Sequence, residues 1–184
     1  MLANRRQFLG LSAAGAATAF TGAPARAEKT KSNARIVIVG AGAAGTAAAN
    51  RLADRLDGAK ITIVDARKQH LYQPGFTLIA AGLKPAGYSV SATSDWLSRD
   101  VDWIEEAAAE IDPVGRKVVT TSGKAVEYDF LIVAAGIKLD FDAIEGMSLD
   151  LIGKNGIGSV YAGPEYAAKT WAEMDRFTET GGVG

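Results

Sequence analysis

The sequence predicts an α/β fold with a parallel sheet and an inserted β-meander, and three features support this prediction. Arg35–Val39 is an apolar run of strand length that leads into a glycine-rich turn and then into an alanine-rich segment. Lys60–Val64 is a second β-branched run that follows this segment. Over residues 107–128, short β-type runs alternate with turn signals such as Asp112-Pro113 and Ser122-Gly123. The order strand, helix, strand favours parallel pairing of the first two strands.

The turn after the first strand has the spacing G-x-G-x-x-G, formed by Gly40, Gly42 and Gly45. Gly40 allows the tight bend, Gly42 lets the backbone approach a pyrophosphate, and Gly45 lets the helix lie close to the strand. The free N–H groups and the positive dipole end of the helix then hold the phosphates. This motif is weak alone, but the strand before it and the helix after it supply the required context. The sequence therefore predicts a Rossmann-like dinucleotide-binding domain.

Asp65 ends the second predicted strand and completes this pattern. A carboxylate at that place accepts hydrogen bonds from the adenosine ribose hydroxyls and would repel the 2′-phosphate of NADP. The residue therefore favours FAD or NAD. The alternative is an ordinary βαβ unit with a glycine-rich turn and an incidental aspartate.

Composition restricts the classes of function. The chain has 184 residues, of which 48% are hydrophobic and 22% charged, so it can form a core. The formal net charge of −1 gives no reason to expect a nucleic acid partner. The absence of cysteine excludes disulfides and cysteine-ligated metals within these residues. We interpret His70, the lone histidine, as a surface or hydrogen-bonded structural residue, and we assign no catalytic residue and no metal ligand.

Residues 1–27 have the pattern of an export leader. Arg5-Arg6 precedes a bulky apolar pair, a weakly hydrophobic Gly/Ala-rich stretch follows, and Ala25-Arg26-Ala27 supplies small residues for cleavage. The pattern resembles a twin-arginine signal, which carries folded proteins across the bacterial inner membrane. It predicts a periplasmic protein, with residues 28–34 as a polar spacer. An alanine-rich leader of no consequence is the alternative.

The remaining segments are predicted from turn signals and periodicity. We expect a short helix after Pro74-Gly75, a loop over residues 85–94 and a strongly apolar strand over residues 129–136. Residues 146–163 form an extended glycine-rich loop, and a helix then runs from Pro164 to about residue 178. Three apolar side chains at helical spacing in that helix are expected in the core: Trp171, Met174 and Phe177.

The assembled residues resemble the two-dinucleotide-binding flavoprotein superfamily and, within it, the sulfide:quinone oxidoreductases. The resemblance covers residues 35–184, and the glycine motif supports only the superfamily. The narrower family is supported by the Tyr-Gln-Pro segment in residues 69–78, the strand and Leu-Asp in residues 128–140, and residues 156–161 with Lys169-Thr170-Trp171.

The resemblance implies FAD as the cofactor and suggests its contacts. The glycine turn would cradle the pyrophosphate, Asp65 would bind the ribose, and Ala108 would meet adenine through its backbone. Ala135 stands where the superfamily has threonine, so no hydroxyl contact is expected there. The implied cofactor-binding residues are Gly40, Gly42, Ala43, Ala44, Gly45, Asp65, Gln73, Ala108, Ala135 and Gly136.

The resemblance also implies an activity, namely oxidation of sulfide with transfer of electrons through FAD to a quinone. That chemistry uses a pair of redox-active cysteines, which in the resembling proteins lie beyond the point that corresponds to residue 184. We therefore expect an N-terminal fragment, with an FAD-binding domain over residues 35–145 and a linker and helix over residues 146–184 that lead into a truncated second domain. Peripheral membrane contact is expected through the missing C-terminal part, and a homo-oligomer is left open.

Three alternatives stay open at this point. A type II NADH dehydrogenase also has Gln-Pro after the ribose acid and needs no redox cysteines, but it works on the cytoplasmic side. The flavoprotein subunit of flavocytochrome c sulfide dehydrogenase is exported, but it would carry a cysteine near residues 72–74. The third alternative is a dinucleotide-binding module without catalysis.

Overall fold

The computed structural model describes residues 28–181. The predicted export leader, residues 1–27, and the final residues 182–184 lie outside the described part. The strands, in chain order, are β1 (Thr30–Lys31), β2 (Arg35–Val39), β3 (Leu56–Asp57), β4 (Lys60–Val64), β5 (Gln69–Leu71), β6 (Val90–Ala92), β7 (Val101–Ile104), β8 (Ala108–Asp112), β9 (Lys117–Thr120), β10 (Ala125–Glu127) and β11 (Phe130–Val133). The α-helices are α1 (Ala43–Arg55), α2 (Phe76–Ala80) and α3 (Pro164–Thr180).

A four-stranded parallel sheet in the order β11-β2-β4-β7 forms the centre of the fold. Its two central strands are nearly continuous apolar runs because both of their faces are covered, which is typical of parallel sheets. Ile38 pairs with Ile63 on one side and with Ile132 on the other. This arrangement confirms the predicted α/β fold and the parallel pairing of the first two strands.

Helix α1 covers one face of the sheet with its small residues. Ala49 and Ala53 are buried against a cluster that includes Ile36, Ile38 and Ile63. Because alanine side chains are short, the helix axis lies close to the strands, and each buried isoleucine contributes about 1.5–3 kcal/mol through removal from water. The helix ends where Leu56 turns to an extended conformation.

The predicted meander covers the other face. β8, β9 and β10 form an antiparallel sheet in the order β10-β9-β8. Val118 and Tyr128 from this region pack with Val37, Val39 and Val64 of the central sheet. The meander is therefore a structural cover for the sheet, and its three strands lie within residues 107–128, where the sequence predicts short strands.

Helix α3 packs against α2. Ala167 is fully buried with Phe76, Ile79 and Ala80, and Gly82 has φ +71 directly beneath the Trp171 ring, where a Cβ would collide. The helix that the sequence analysis placed on the way to a second domain is thus packed against the helix that follows the first βαβ unit.

Two of the three apolar side chains expected in the core from α3 are not there. Met174 is 50% exposed and Phe177 is 43% exposed. Helical spacing predicts that such residues share a face, but packing against α2 covers only the part of α3 nearest Ala167 and Trp171. The expectation was therefore wrong for these two residues.

Two segments predicted as irregular contain strands. In the spacer, β1 pairs in parallel with β3 through Thr30 and Leu56. In the predicted loop over residues 85–94, β6 pairs antiparallel with β5, between two short 3₁₀ helices. These strands are two or three residues long and depend on their pairing partners, so periodicity does not reveal them. Over residues 28–181, no helix has both the length and the apolar character needed to cross a membrane.

Candidate dinucleotide-binding site

The turn between β2 and α1 uses two of its glycines for packing within the chain. Gly40 has φ +105, a conformation that side chains with a Cβ rarely adopt, and a Cβ there would strike the Ala134 backbone. A Cβ on Gly45 would collide with the carbonyl oxygen of Gly40. The roles predicted for these residues, a tight bend and close helix packing, therefore agree with the geometry.

Gly42 differs from Gly40 and Gly45 because neither its backbone conformation nor its packing requires glycine. Its backbone is extended, with φ −72, and the nearest atom to a Cβ there would be Nη2 of Arg67 at 3.9 Å. Gly42 is the N-cap of α1, no side chain caps that end, and the first turn carries no acidic residue. The first N–H groups of a helix lack partners within it and attract anions. The space above Gly42 therefore fits a phosphate group.

Asp65, at the end of β4, ties this turn to the neighbouring strand. The residue is 8% exposed, and its Oδ2 accepts a hydrogen bond from the Ala41 amide at 2.7 Å. Its carbonyl oxygen accepts a hydrogen bond from Nε1 of Trp103 at 2.9 Å. Both the main chain and the side chain of Asp65 are thus held in place beside the glycine turn.

Arg67 supplies the other donors to this carboxylate. The Arg67 amide lies 2.8 Å from Oδ1 of Asp65, Nε lies 3.3 Å from the same atom, and Nη2 lies 3.0 Å from Oδ2. Burial alone would raise the pKa of Asp65, but the hydrogen bonds from the Arg67 side chain and from the Ala41 and Arg67 amides outweigh it and lower the pKa. The carboxylate is therefore held ionised by four donors from the protein.

The donors to Asp65 bear on its predicted contact with the ribose, which stays a prediction. A carboxylate offers about four acceptor positions, and here protein donors take all four. Two of those donors belong to the Arg67 guanidinium, whose side chain is 60% exposed. A ribose contact at Asp65, as predicted from the sequence, would have to share the carboxylate with Arg67.

A cleft of about 360 Å³ opens beside the glycine turn, at the ends of β2 and β11. This is the carboxyl edge of the parallel sheet, where ligands bind in open α/β folds. The cleft brings together six of the predicted residues, and its lining is formed by Ala41, Gly42, Ala43, Ala44, Arg67, Gln69, His70, Leu71, Tyr72, Gln73, Pro74, Ala134, Ala135, Gly136 and Ile137.

Four predicted residues do not line this cleft. Gly40 and Gly45 pack against backbone atoms of neighbouring segments, and the Asp65 side chain is buried, bonded to Ala41 and Arg67. Ala108 is in β8, packed against the core cluster between the central sheet and the meander. Its predicted contact with adenine remains a prediction.

Several residues of the cleft were not identified from the sequence. Arg67 is two residues beyond the ribose acid, and a basic residue at that place is the signal that could have drawn attention to it. His70 also lines the cleft, with its ring 5.7 Å from that of Trp96. Its Nδ1 is buried and has no hydrogen-bond partner among the described residues, so the hydrogen-bonded structural role expected for His70 is not found at this atom.

Comparison with known proteins gives the family context. Residues 34–169 match the family described as pyridine nucleotide-disulphide oxidoreductase. The chain is 34% identical over 171 residues to the mitochondrial sulfide:quinone oxidoreductase of Mus musculus. That alignment covers 93% of this chain and 37% of the mouse protein, so the chain spans little more than a third of this relative.

Solved structures show the same fold. The sulfide:quinone oxidoreductase from Aquifex aeolicus matches with a TM-score of 0.63 and 27% identity, over 80% of this chain and 33% of that one. NDH2 from Plasmodium falciparum, solved with NADH, matches with a TM-score of 0.53 over 81% of this chain and 30% of that one. Its identity of 16% is evidence of a shared fold alone.

Proposed function

The chain belongs to the pyridine nucleotide-disulphide oxidoreductase family, and from this premise we propose that the complete protein oxidises sulfide and passes the electrons through FAD to a quinone. The observation that carries this proposal is the 34% identity, over 93% of the chain, to a protein named sulfide:quinone oxidoreductase. The Aquifex aeolicus structure of the same name supports it at the level of the fold.

FAD is the cofactor of this family, and the cleft fits its diphosphate. We assign the phosphates to the uncapped start of α1, above Gly42, with Ala43 and Ala44 as amide donors. Ala135 and Gly136, just beyond β11, form the facing wall, and Gln73 offers a side-chain amide from the 3₁₀ helix Gln73–Gly75. Gly42, Ala43, Ala44, Ala135 and Gly136 are small residues that line the cleft, and Gln73 lines it with a polar side chain.

The chemistry that FAD supplies when bound is acceptance of an electron pair from the oxidised substrate and its transfer to the acceptor. The residues of this chain bind and orient the cofactor. They provide a cleft lined by small residues, backbone amide donors and the positive end of the α1 dipole. The chain contains no cysteine. The thiol groups that sulfide oxidation uses are therefore proposed to lie in the part of the protein outside these 184 residues, and no catalytic residue is assigned here.

The cellular setting is part of the proposal. Residues 1–27 have the twin-arginine and cleavage pattern of an exported protein. We propose that the protein is exported to the periplasm, contacts the inner membrane peripherally, and reaches its quinone there. Membrane contact and any homo-oligomer formation are assigned to the part of the protein beyond this chain.

The test is anaerobic reduction of the flavin in the complete protein. Bleaching of the flavin absorbance by sulfide, no bleaching by NADH, and reoxidation by a soluble quinone are expected. Bleaching by NADH alone would contradict the proposal and favour a type II NADH dehydrogenase. A flavin that neither donor reduces would leave a dinucleotide-binding protein without this activity. Fractionation of the native cells, with the protein found in the periplasm or washed from the inner membrane, tests the location.

A further inference from the structure

We propose that Arg67 binds the diphosphate of FAD, as a cofactor-binding residue in addition to the glycine turn and the start of α1. The inference rests on the dinucleotide site proposed above. It concerns a residue that the sequence pattern did not select and that lines the cleft.

The first argument is position. The Arg67 side chain lines the cleft beside Gly42, Ala43 and Ala44, and its Nη2 lies 3.9 Å from the place that a Cβ on Gly42 would occupy. That is the side from which a phosphate approaches the first amide groups of α1. A guanidinium at this point faces the same oxygen atoms as those amides.

The second argument is charge. Among the described residues that line the cleft, Arg67 is the only arginine, lysine, aspartate or glutamate. The nearby Asp65 carboxylate is covered by Ala41 and Arg67. A diphosphate carries two negative charges, and arginine matches such groups with two parallel N–H donors. The uncapped helix end supplies only a partial positive charge, so Arg67 supplies the formal positive charge that the helix end lacks.

The third argument is preorganisation. The main chain of Arg67 is fixed on both sides, because its amide donates to Oδ1 of Asp65 at 2.8 Å and its carbonyl accepts from Oγ1 of Thr93 at 3.0 Å. Asp65 and Thr93 are both buried. The Arg67 side chain is 60% exposed, and its guanidinium is oriented by the carboxylate. A fixed backbone with an exposed head lowers the entropy lost on binding.

Asp65 and Arg67 have different roles in this arrangement. Asp65 holds the glycine turn through Ala41 and orients the guanidinium, while Arg67 presents the remaining N–H donors to the cofactor. A phosphate contact and the Asp65 contact can coexist because a guanidinium has five N–H groups. Asp65 thus acts on the cofactor partly through Arg67.

The test measures FAD affinity rather than activity. Apoprotein is prepared from the complete protein, and FAD binding is followed by quenching of flavin fluorescence at several salt concentrations. Arg67→Gln should weaken binding about 10- to 100-fold, the range for loss of a charge-assisted hydrogen bond, and should reduce the dependence on salt. Arg67→Lys keeps the charge but loses the paired donors, so an intermediate loss is expected. Arg99→Gln, at an exposed arginine outside the cleft lining, should bind as the wild type does.

A double-mutant cycle with Asp65→Asn separates direct from indirect action. If Arg67→Gln still weakens binding in the Asp65→Asn background, the direct contact is supported. Wild-type affinity in Arg67→Gln, tighter binding, or a loss that disappears in that background would overturn it. These results are independent of the sulfide assay, because a protein that holds FAD through Arg67 but is not reduced by sulfide would contradict only the proposed function.

Discussion

The Oδ2 atom of Asp65 lies 2.7 Å from the backbone nitrogen of Ala41, so a carboxylate at the end of β4 holds the glycine turn that follows β2. The two residues are 24 positions apart in the chain. The contact fixes the turn independently of any ligand, and it makes Asp65 a structural residue as well as a candidate cofactor residue.

Asp65→Ala should therefore lower both stability and FAD affinity. Removal of a buried acceptor leaves the Ala41 amide without its partner, and each effect should be about 1–3 kcal/mol. Chemical denaturation and flavin titration of the complete protein measure the two quantities. Because folding lowers the pKa of Asp65, its contribution is present above its ordinary value of 3.8 and is lost as the pH falls below that value. Unchanged stability together with unchanged flavin affinity would refute both roles.

Gly42→Val and Gly45→Ala should fail in different ways. Gly42→Val places its Cβ in a space where Arg67 is the one neighbour within 4 Å, so the protein should still fold. The same side chain would occupy the phosphate position, so FAD binding should be lost. The second collides with the Gly40 carbonyl and should destabilise the protein by about 1–3 kcal/mol. Thermal unfolding and flavin content of the purified variants separate the two results. A Gly42→Val protein that keeps its flavin would remove the phosphate assignment.

Asp129 gives a prediction at low pH. Hydrogen bonds from the side chain and amide of Arg35 lower the pKa of Asp129 from 3.8 to about 2. Because the pKa is lower in the folded protein, this stabilisation is complete above about pH 4 and is lost as the pH falls towards 2. Denaturation at several pH values should show a shallower acid dependence for Asp129→Asn. In Arg35→Gln, an NMR titration should place the pKa of Asp129 closer to its ordinary value.

The contact between α2 and α3 can be tested with two phenylalanines. Phe76 is 1% exposed and packs with Ala167, whereas Phe177 is 43% exposed on the same helix as Ala167. Phe76→Ala should cost about 3–5 kcal/mol through loss of burial and creation of a cavity. Phe177→Ala serves as the matched comparison, and both variants are measured in a preparation of residues 28–181. Phe177→Ala should change the free energy of unfolding by less than about 0.5 kcal/mol. Equal losses would mean that α3 packs differently.

The βαβ unit was predictable because several local signals agree. The strands, the glycine turn and Asp65 each have a residue type that the geometry requires, and Gly40 and Gly45 meet that requirement in the fold. The Rossmann-like class followed from these residues, whereas the family, which matches over residues 34–169, was expected from the resemblance of longer segments.

The remaining features depend on contacts between distant segments. The exposure of Met174 depends on where α2 ends, which the periodicity of α3 does not encode. β6 is a strand because it meets β5. The place of Arg67 in the cleft follows from its pairing with Asp65 in an irregular segment and from the hydrogen bond that Thr93 makes 26 residues later. Sequence spacing suggests none of these partners.

The parallel direction of the strands gives the molecule two different poles. The cleft lies where the strands end, whereas the chain enters at the pole where they begin, with Ser32 bonded to Asp57 and Lys29 to the carbonyl of Ala53. Lys29 and Ser32 therefore lie at the pole opposite the cleft, so a substitution or a label placed there would not enter the dinucleotide site.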